Sequence, residues 1–187
     1  MLSKIAEETK GMLVSTVKGA DDVLSTLRGS VKNQIIGTLK DVSDVATASL
    51  DSVKGVVEGA VVSAGDLGTT GVEVAKAAVD AAIAGVSEVG GNVLKAISFA
   101  AGGAVSGAAQ TGGNVGSVAV SAVEGAVNAA GKVGVSTADA AREAAIGAIK
   151  AADAVGSEAG SSVRKALLSA ASLPKDVIEA AVKGSQK

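Results

Sequence analysis

From Ala20 to Val163, every eleventh residue is alanine, valine or isoleucine. The series runs Ala20, Val31, Val42, Val53, Ala64, Ala75, Val86, Ile97, Ala108, Ala119, Ala130, Ala141, Ala152 and Val163. In frames counted from Lys10 these are the last places, and the third, fourth, seventh and eighth are also mainly small or apolar. Charges concentrate at the first, second, fifth, ninth and tenth places, with Arg28 an exception. Eleven residues in three turns is about 3.67 per turn, close to the α-helical value, so the apolar places stay on one face in a stripe roughly 130° wide. Strict apolar–polar alternation is missing, and alanine-rich frames favour helix over strand. The pattern therefore predicts an all-α chain with no β-sheet. It would consist of long amphipathic helices with 11/22-residue (hendecad) repeats, folded back as a hairpin or bundle where glycine-rich bends allow.

A second order of 22 residues lies over the first. Basic residues recur at Lys10, Lys32, Lys54 and Lys76 and return at Arg142 and Arg164, and acids recur at Asp22, Asp44, Asp66 and Glu88. Glycine recurs at Gly68, Gly90, Gly112, Gly134 and Gly156. These glycines fall on the apolar face, where each costs about 1 kcal/mol relative to alanine inside a helix. Two physical reasons can retain them. They let a neighbouring backbone approach closely, or they mark where the helix bends or ends. The sequence leaves both open.

The apolar material is thin. Hydrophobic residues make up 48 %, but mostly as alanine and valine, with one Phe and no Trp, Tyr, His or Cys. A core of large side chains gains roughly 1.5–3 kcal/mol per buried Leu, Ile or Phe. This chain gains less per residue, so a compact form needs close backbone approach or another apolar phase.

Three stretches follow along the chain. Charged residues 1–95 precede an uncharged Gly/Ala/Ser-rich middle, 96–123, which is a candidate bend or buried segment of membrane-spanning length. Charged residues return over 124–187. The repeat region covers 1–171, and 172–187 forms a short C-terminal helix and tail. There Ser172 suits an N-cap, Pro174 the first turn and Gly184 a stop. Residues 1–14 read as an amphipathic helix, not a secretory signal. No signal peptide is evident, and the expected location is intracellular, peripheral to a membrane or lipid.

The stretches "VKGVVEGAVVSAG" and "EVGGNVLKAISFAAGGAV" resemble the eleven-residue repeats of synucleins, and the wider periodicity is similar to the perilipin and exchangeable-apolipoprotein class. The resemblance implies amphipathic helices lying on lipid, with small, weakly hydrophobic residues on the lipid side. The Lys-Thr-Lys-Glu core of the synuclein motif is absent, and no excess of lysines flanks the stripe.

Composition narrows the function classes. A net charge of −2, from 17 basic and 19 acidic residues, and the lack of aromatic platforms argue against nucleic acid as a partner. Without His, Cys or Tyr, and without a phosphate-cradling GxxxxGK[ST] run, no catalytic, cofactor or metal site and no small-molecule substrate is expected. The leading expectation is a non-enzymatic protein that coats a membrane or lipid droplet. Its lipid- or partner-facing stripe is Leu13, Val17, Leu24, Leu27, Ile35, Leu39, Val53, Ile83, Leu94, Ile97 and Phe99. The alternative is a structural protein that self-assembles into filaments or bundles, a homo-oligomer held by close Gly/Ala helix packing. A helical ice- or surface-binding protein ranks third, because Thr16, Thr38, Thr70 and Thr111 share no fixed repeat position.

Overall fold

A computed structural model of the chain describes residues 20–40 and 48–185. Leu13, Val17 and Val42, with the amphipathic stretch 1–14, lie outside the described residues. Among the described residues there are eight helices and no strand. They are α1 (Ala20–Lys40), α2 (Ala48–Val62), α3 (Gly71–Glu88), α4 (Val93–Gln110), α5 (Val115–Val133), α6 (Thr137–Val155), α7 (Ser157–Ser169) and α8 (Lys175–Gly184). The described helix of greatest length has 21 residues, so the stripe is cut into short segments and not carried on one extended rod.

The cuts have a repeated chemistry. Gly68, Gly90, Gly112 and Gly134 take positive φ of 67°, 71°, 66° and 75° at the ends of consecutive turns. After each, the next residue donates its N–H to the carbonyl five places back: Thr69 to Ala64, Gly91 to Val86, Gly113 to Ala108 and Val135 to Ala130. This is the Schellman closure, which satisfies carbonyls that a helix end would leave unpaired. Two residues beyond each glycine sits the N-cap of the following helix: Thr70, Asn92, Asn114 and Ser136. Each side chain accepts from the N–H three places on, and Thr70 forms a reciprocal capping box with Glu73. The pattern lapses at Gly156, where α7 starts with no side-chain cap.

Helices two apart in sequence pack side by side. Thus α3 lies against α1 and α5, and α4 against α2 and α6, giving one layer of α1, α3, α5 and α7 and another of α2, α4, α6 and α8. The core fills the space between and within the layers. Leu27, Ile35, Ile83, Ile97, Ile149, Leu167 and Ile178 are its largest fully buried members, and alanine and valine supply the rest. Every last-place frame residue from Val53 to Val163 is buried, as is Val31.

The uncharged stretch 96–123 forms most of α4, the turn after it and the first half of α5, and most of it is buried. No described helix is long and apolar enough to cross a membrane. The C-terminal helix departs from expectation in its start. Pro174, not Ser172, occupies the N-cap position, and Gly184 is the last helical residue with Ser185 as cap. The Ser172 hydroxyl is drawn instead to the Glu124 carboxylate on α5, 2.7 Å away.

Candidate functional site: a small-residue packing face

The feature that stands out chemically is the closeness of helices within a layer. A Cβ added at Gly125 would stand 2.6 Å from the carbonyl oxygen of Lys76, and one at Gly107 would stand 2.7 Å from that of Glu58. At Gly103 and Gly147 the added carbon would collide outright with the carbonyl oxygens of Lys54 and Ser98. Gly103, Gly125 and Gly147 are themselves 22 residues apart, and each meets a carbonyl 49 residues earlier. The relation spans both layers: α4 on α2, α5 on α3 and α6 on α4. On α4, Gly103 and Gly107 form a small-xxx-small pair one turn apart, the spacing that lets two helix backbones touch.

These differ from the glycines that the periodicity singled out. Around Gly68, Gly90, Gly112, Gly134 and Gly156 an added Cβ would meet nothing within 4 Å. Gly90, Gly112 and Gly134 take the left-handed conformation just past the ends of α3, α4 and α5, Gly68 takes it in the turn between α2 and α3, and Gly156 lies at the α6–α7 boundary. Two sets of glycines thus divide the two physical reasons between them. The seating set was missed from sequence, although its 22-residue spacing was there to be read.

The stripe residues are used within the chain. Leu27, Ile35, Val53, Ile83 and Ile97 are buried, and Leu24, Leu39, Leu94 and Phe99 are partly buried. All except Phe99 belong to or pack on the common core.

Charges on the outer faces join the same helix pairs. Lys32 on α1 meets Glu88 on α3 at 2.6 Å, Lys76 on α3 meets Glu124 on α5 at 2.9 Å, and Lys132 on α5 meets Asp80 on α3 at 3.0 Å. In the other layer Gln110 on α4 donates to Glu58 on α2. Between α6 and α7, Arg164 grips both oxygens of Asp153 at 2.7 Å. The Arg164 fork holds the Asp153 carboxyl below its ordinary pKa. The Ser172 hydroxyl first, then Lys76, does the same for Glu124, and Lys32 for Glu88. Pairs this exposed add little to stability in water.

No family model matches the chain, and no curated protein matches it. Among solved structures it is similar to the crystal structure of a "de novo designed helical repeat protein DHR7". The TM-score is 0.50 and the identity 18 %, over 99 % of this chain and 95 % of that one. The likeness is one of fold: a helical repeat.

Proposed function

We propose that this chain is a non-enzymatic structural protein, a helical-repeat scaffold that spends its Ala/Val stripe on its own interior. In this reading a single eleven-residue pattern runs through the chain, and glycine turns divide it into 22-residue helix–turn units. Close Gly/Ala helix packing, expected between copies, operates between units of one chain. The observation that carries the reading is the seating of Gly103, Gly125 and Gly147 against the carbonyls of Lys54, Lys76 and Ser98. The glycine seats draw the helices together, and the stripe residues between them are buried and unavailable to an outside surface. Association with copies or other partners then falls to the outer faces, such as the exposed Ser161, Lys165 and Ser169 on α7 and Lys175, Asp176 and Lys183 on α8.

A lipid-coating role is the second reading, favoured by the composition of the core. Most buried residues are alanine or valine, so opening the fold forfeits less burial per residue than opening a Leu/Phe core. Sedimentation and circular dichroism with and without phosphatidylcholine–phosphatidylserine vesicles separate the two. A helical species in buffer that stays in the supernatant with vesicles supports the scaffold. A chain that lacks helix until vesicles are added, then floats with them, rejects it.

A further inference from the structure

Neighbours within a layer are two 22-residue units apart, so positions 44 residues apart take equivalent places on successive helices of that layer. On α4 the places that seat against α2 are Gly103 and Gly107. Their equivalents 44 residues back are Gly59 on α2 and Ser63 just past its end. Both are buried, Ser63 completely, and the Ser63 hydroxyl donates back to the Gly59 carbonyl at 2.8 Å. Lys54, Glu58 and Val61, which meet α4, lie about 100–180° around the helix from these two. The Gly59 side of α2 thus points away from α4. Among the described residues α2 packs on α1, α3 and α4, and no second-layer helix stands on that other side.

The residues before α1 continue the stripe in sequence. In the eleven-residue frame Met1, Leu2, Ile5, Met12, Leu13 and Val17 all fall at third, fourth, seventh or eighth places. Glu7, Glu8, Lys10 and Lys18 fall at first, ninth or tenth places, where charges belong. A stretch of 18 residues matches the lengths of α2 and α3, 15 and 18 residues. Its apolar places carry larger side chains than the alanines that fill most of the core, so burying them gains more per residue.

We propose that the chain's own residues 1–18 dock on this face of α2 as a further helix of the second layer, with the Lys10 carbonyl in the Gly59 seat and the Val14 carbonyl against Ser63. Three observations select that occupant. Gly103, Gly107, Gly125 and Gly147 each meet a carbonyl 49 residues earlier, and the same step from Gly59 and Ser63 lands on Lys10 and Val14. Lys76 pairs with Glu124, 48 residues on, and the same step from Lys10 lands on Glu58, whose Oε1 takes Gln110 from the other side. Gly19 alone separates the segment from α1, which itself packs on α2, so the tether keeps the segment at high effective concentration beside this face. A second copy has no such tether. The proposal rests on the scaffold reading and extends its packing rule to the α2 face.

The test is electron–electron double resonance on the full chain, spin-labelled at Lys10→Cys and Val62→Cys. A second sample carries Lys76→Cys and Asn128→Cys, the same separation in sequence between α3 and α5. Both pairs should give narrow distributions below about 25 Å, as labels on adjacent helices do. The 10/62 distance should survive dilution with an excess of unlabelled chain. Gly59→Leu fills the seat and should abolish the short 10/62 distance while the 76/128 distance stays. If Gly59→Leu also disturbs 76/128, Leu13→Lys, a change in the segment itself, replaces it and should give the same loss. A broad 10/62 distribution beside a narrow 76/128 one overturns the docking and leaves the scaffold standing, whereas two broad distributions overturn both. A 10/62 signal that vanishes on dilution gives the face to a second copy, and a short distance that persists in both variants removes the seat; either result overturns the proposal.

Discussion

Gly125 on α5 rests on the main chain of Lys76 on α3, so close that a methyl group there would stand 2.6 Å from the Lys76 carbonyl oxygen. The same lysine reaches across the same interface to Glu124, the residue before that glycine, at 2.9 Å. Backbone contact sets the depth of the packing, and the ion pair bridges the same two helices beside it. One interface thus carries both the small-residue and the charge periodicity of the sequence.

Gly125→Ala should therefore destabilise the fold by about 1–3 kcal/mol, because two backbones must separate to admit the methyl group. Gly37→Ala is the matched control. It lies in α1, and an added Cβ there meets nothing within 4 Å. Removing glycine from that open helical position should stabilise by about 0.5–1 kcal/mol. Urea midpoints for the two variants should move in opposite directions. If both variants gain stability, the close approach is not real.

Turn glycines should respond through the backbone. Gly112 has φ of 66° and open space where its Cβ would be. Gly112→Ala should still cost about 1–2 kcal/mol, from the left-handed conformation alone. Asn114→Ala should cost about 1 kcal/mol by freeing the Ser117 N–H it caps. Thermal melts of both variants against the unaltered chain measure these losses, and an unchanged melting temperature for either would contradict the corresponding account.

Much of this was legible in advance, and the remainder has identifiable causes. The eleven-residue stripe marks buried positions because helical period alone decides which face Val53, Ala75, Ile97, Ala119 and Ala141 share. The recurring glycine was visible, yet its meaning was not, since bending and seating both ask for a missing side chain. The cap two residues later would have decided it. Thr70, Asn92, Asn114 and Ser136 follow Gly68, Gly90, Gly112 and Gly134 at a fixed distance, and a glycine stop next to a polar start is a turn between two helices. What stayed hidden was the 49-residue relation. Whether Gly147 meets Ser98 depends on how far one helix slides along another, which no local pattern specifies. The same holds for Lys76 and Glu124, each of which reads singly as a solvated charge.

Acid should weaken the fold within one window. The carboxyls of Glu73, Glu88, Glu124 and Asp153 titrate lower in the folded chain than their ordinary values of 4.5 for Glu and 3.8 for Asp. Lowered values mean stabilisation that is complete above the unfolded pKa and lost as pH falls through the folded one. No histidine is present to titrate nearer neutrality. The urea midpoint should stay level from about pH 8 to pH 5 and fall below about pH 4.5, and Glu124→Gln should remove part of that fall. A midpoint that drops between pH 8 and about pH 5.5 would contradict this assignment.

Salt should reveal the strength of the outer pairs. Lys132 bonds both oxygens of Asp80 across the α3–α5 interface at 3.0 Å. A double-mutant cycle with Lys132→Met and Asp80→Asn should give a coupling of about 0.2–1 kcal/mol at low ionic strength, shrinking toward zero in about 1 M salt. Zero coupling at low salt would remove this pair from the account.

The most direct measurement is the distance between residues 76 and 128. Lys76 and Asn128 flank one surface cavity, together with Glu124 and Leu173. The chain has no native cysteine, so Lys76→Cys and Asn128→Cys accept spin labels without interference. Electron–electron double resonance in buffer should give a single distribution below about 25 Å, as expected for labels on adjacent helices about 8–10 Å apart. The same two residues on one uninterrupted helix would be about 78 Å apart at 1.5 Å per residue. A distribution near that value, or one too broad to define a distance, would contradict a stripe folded into its own core.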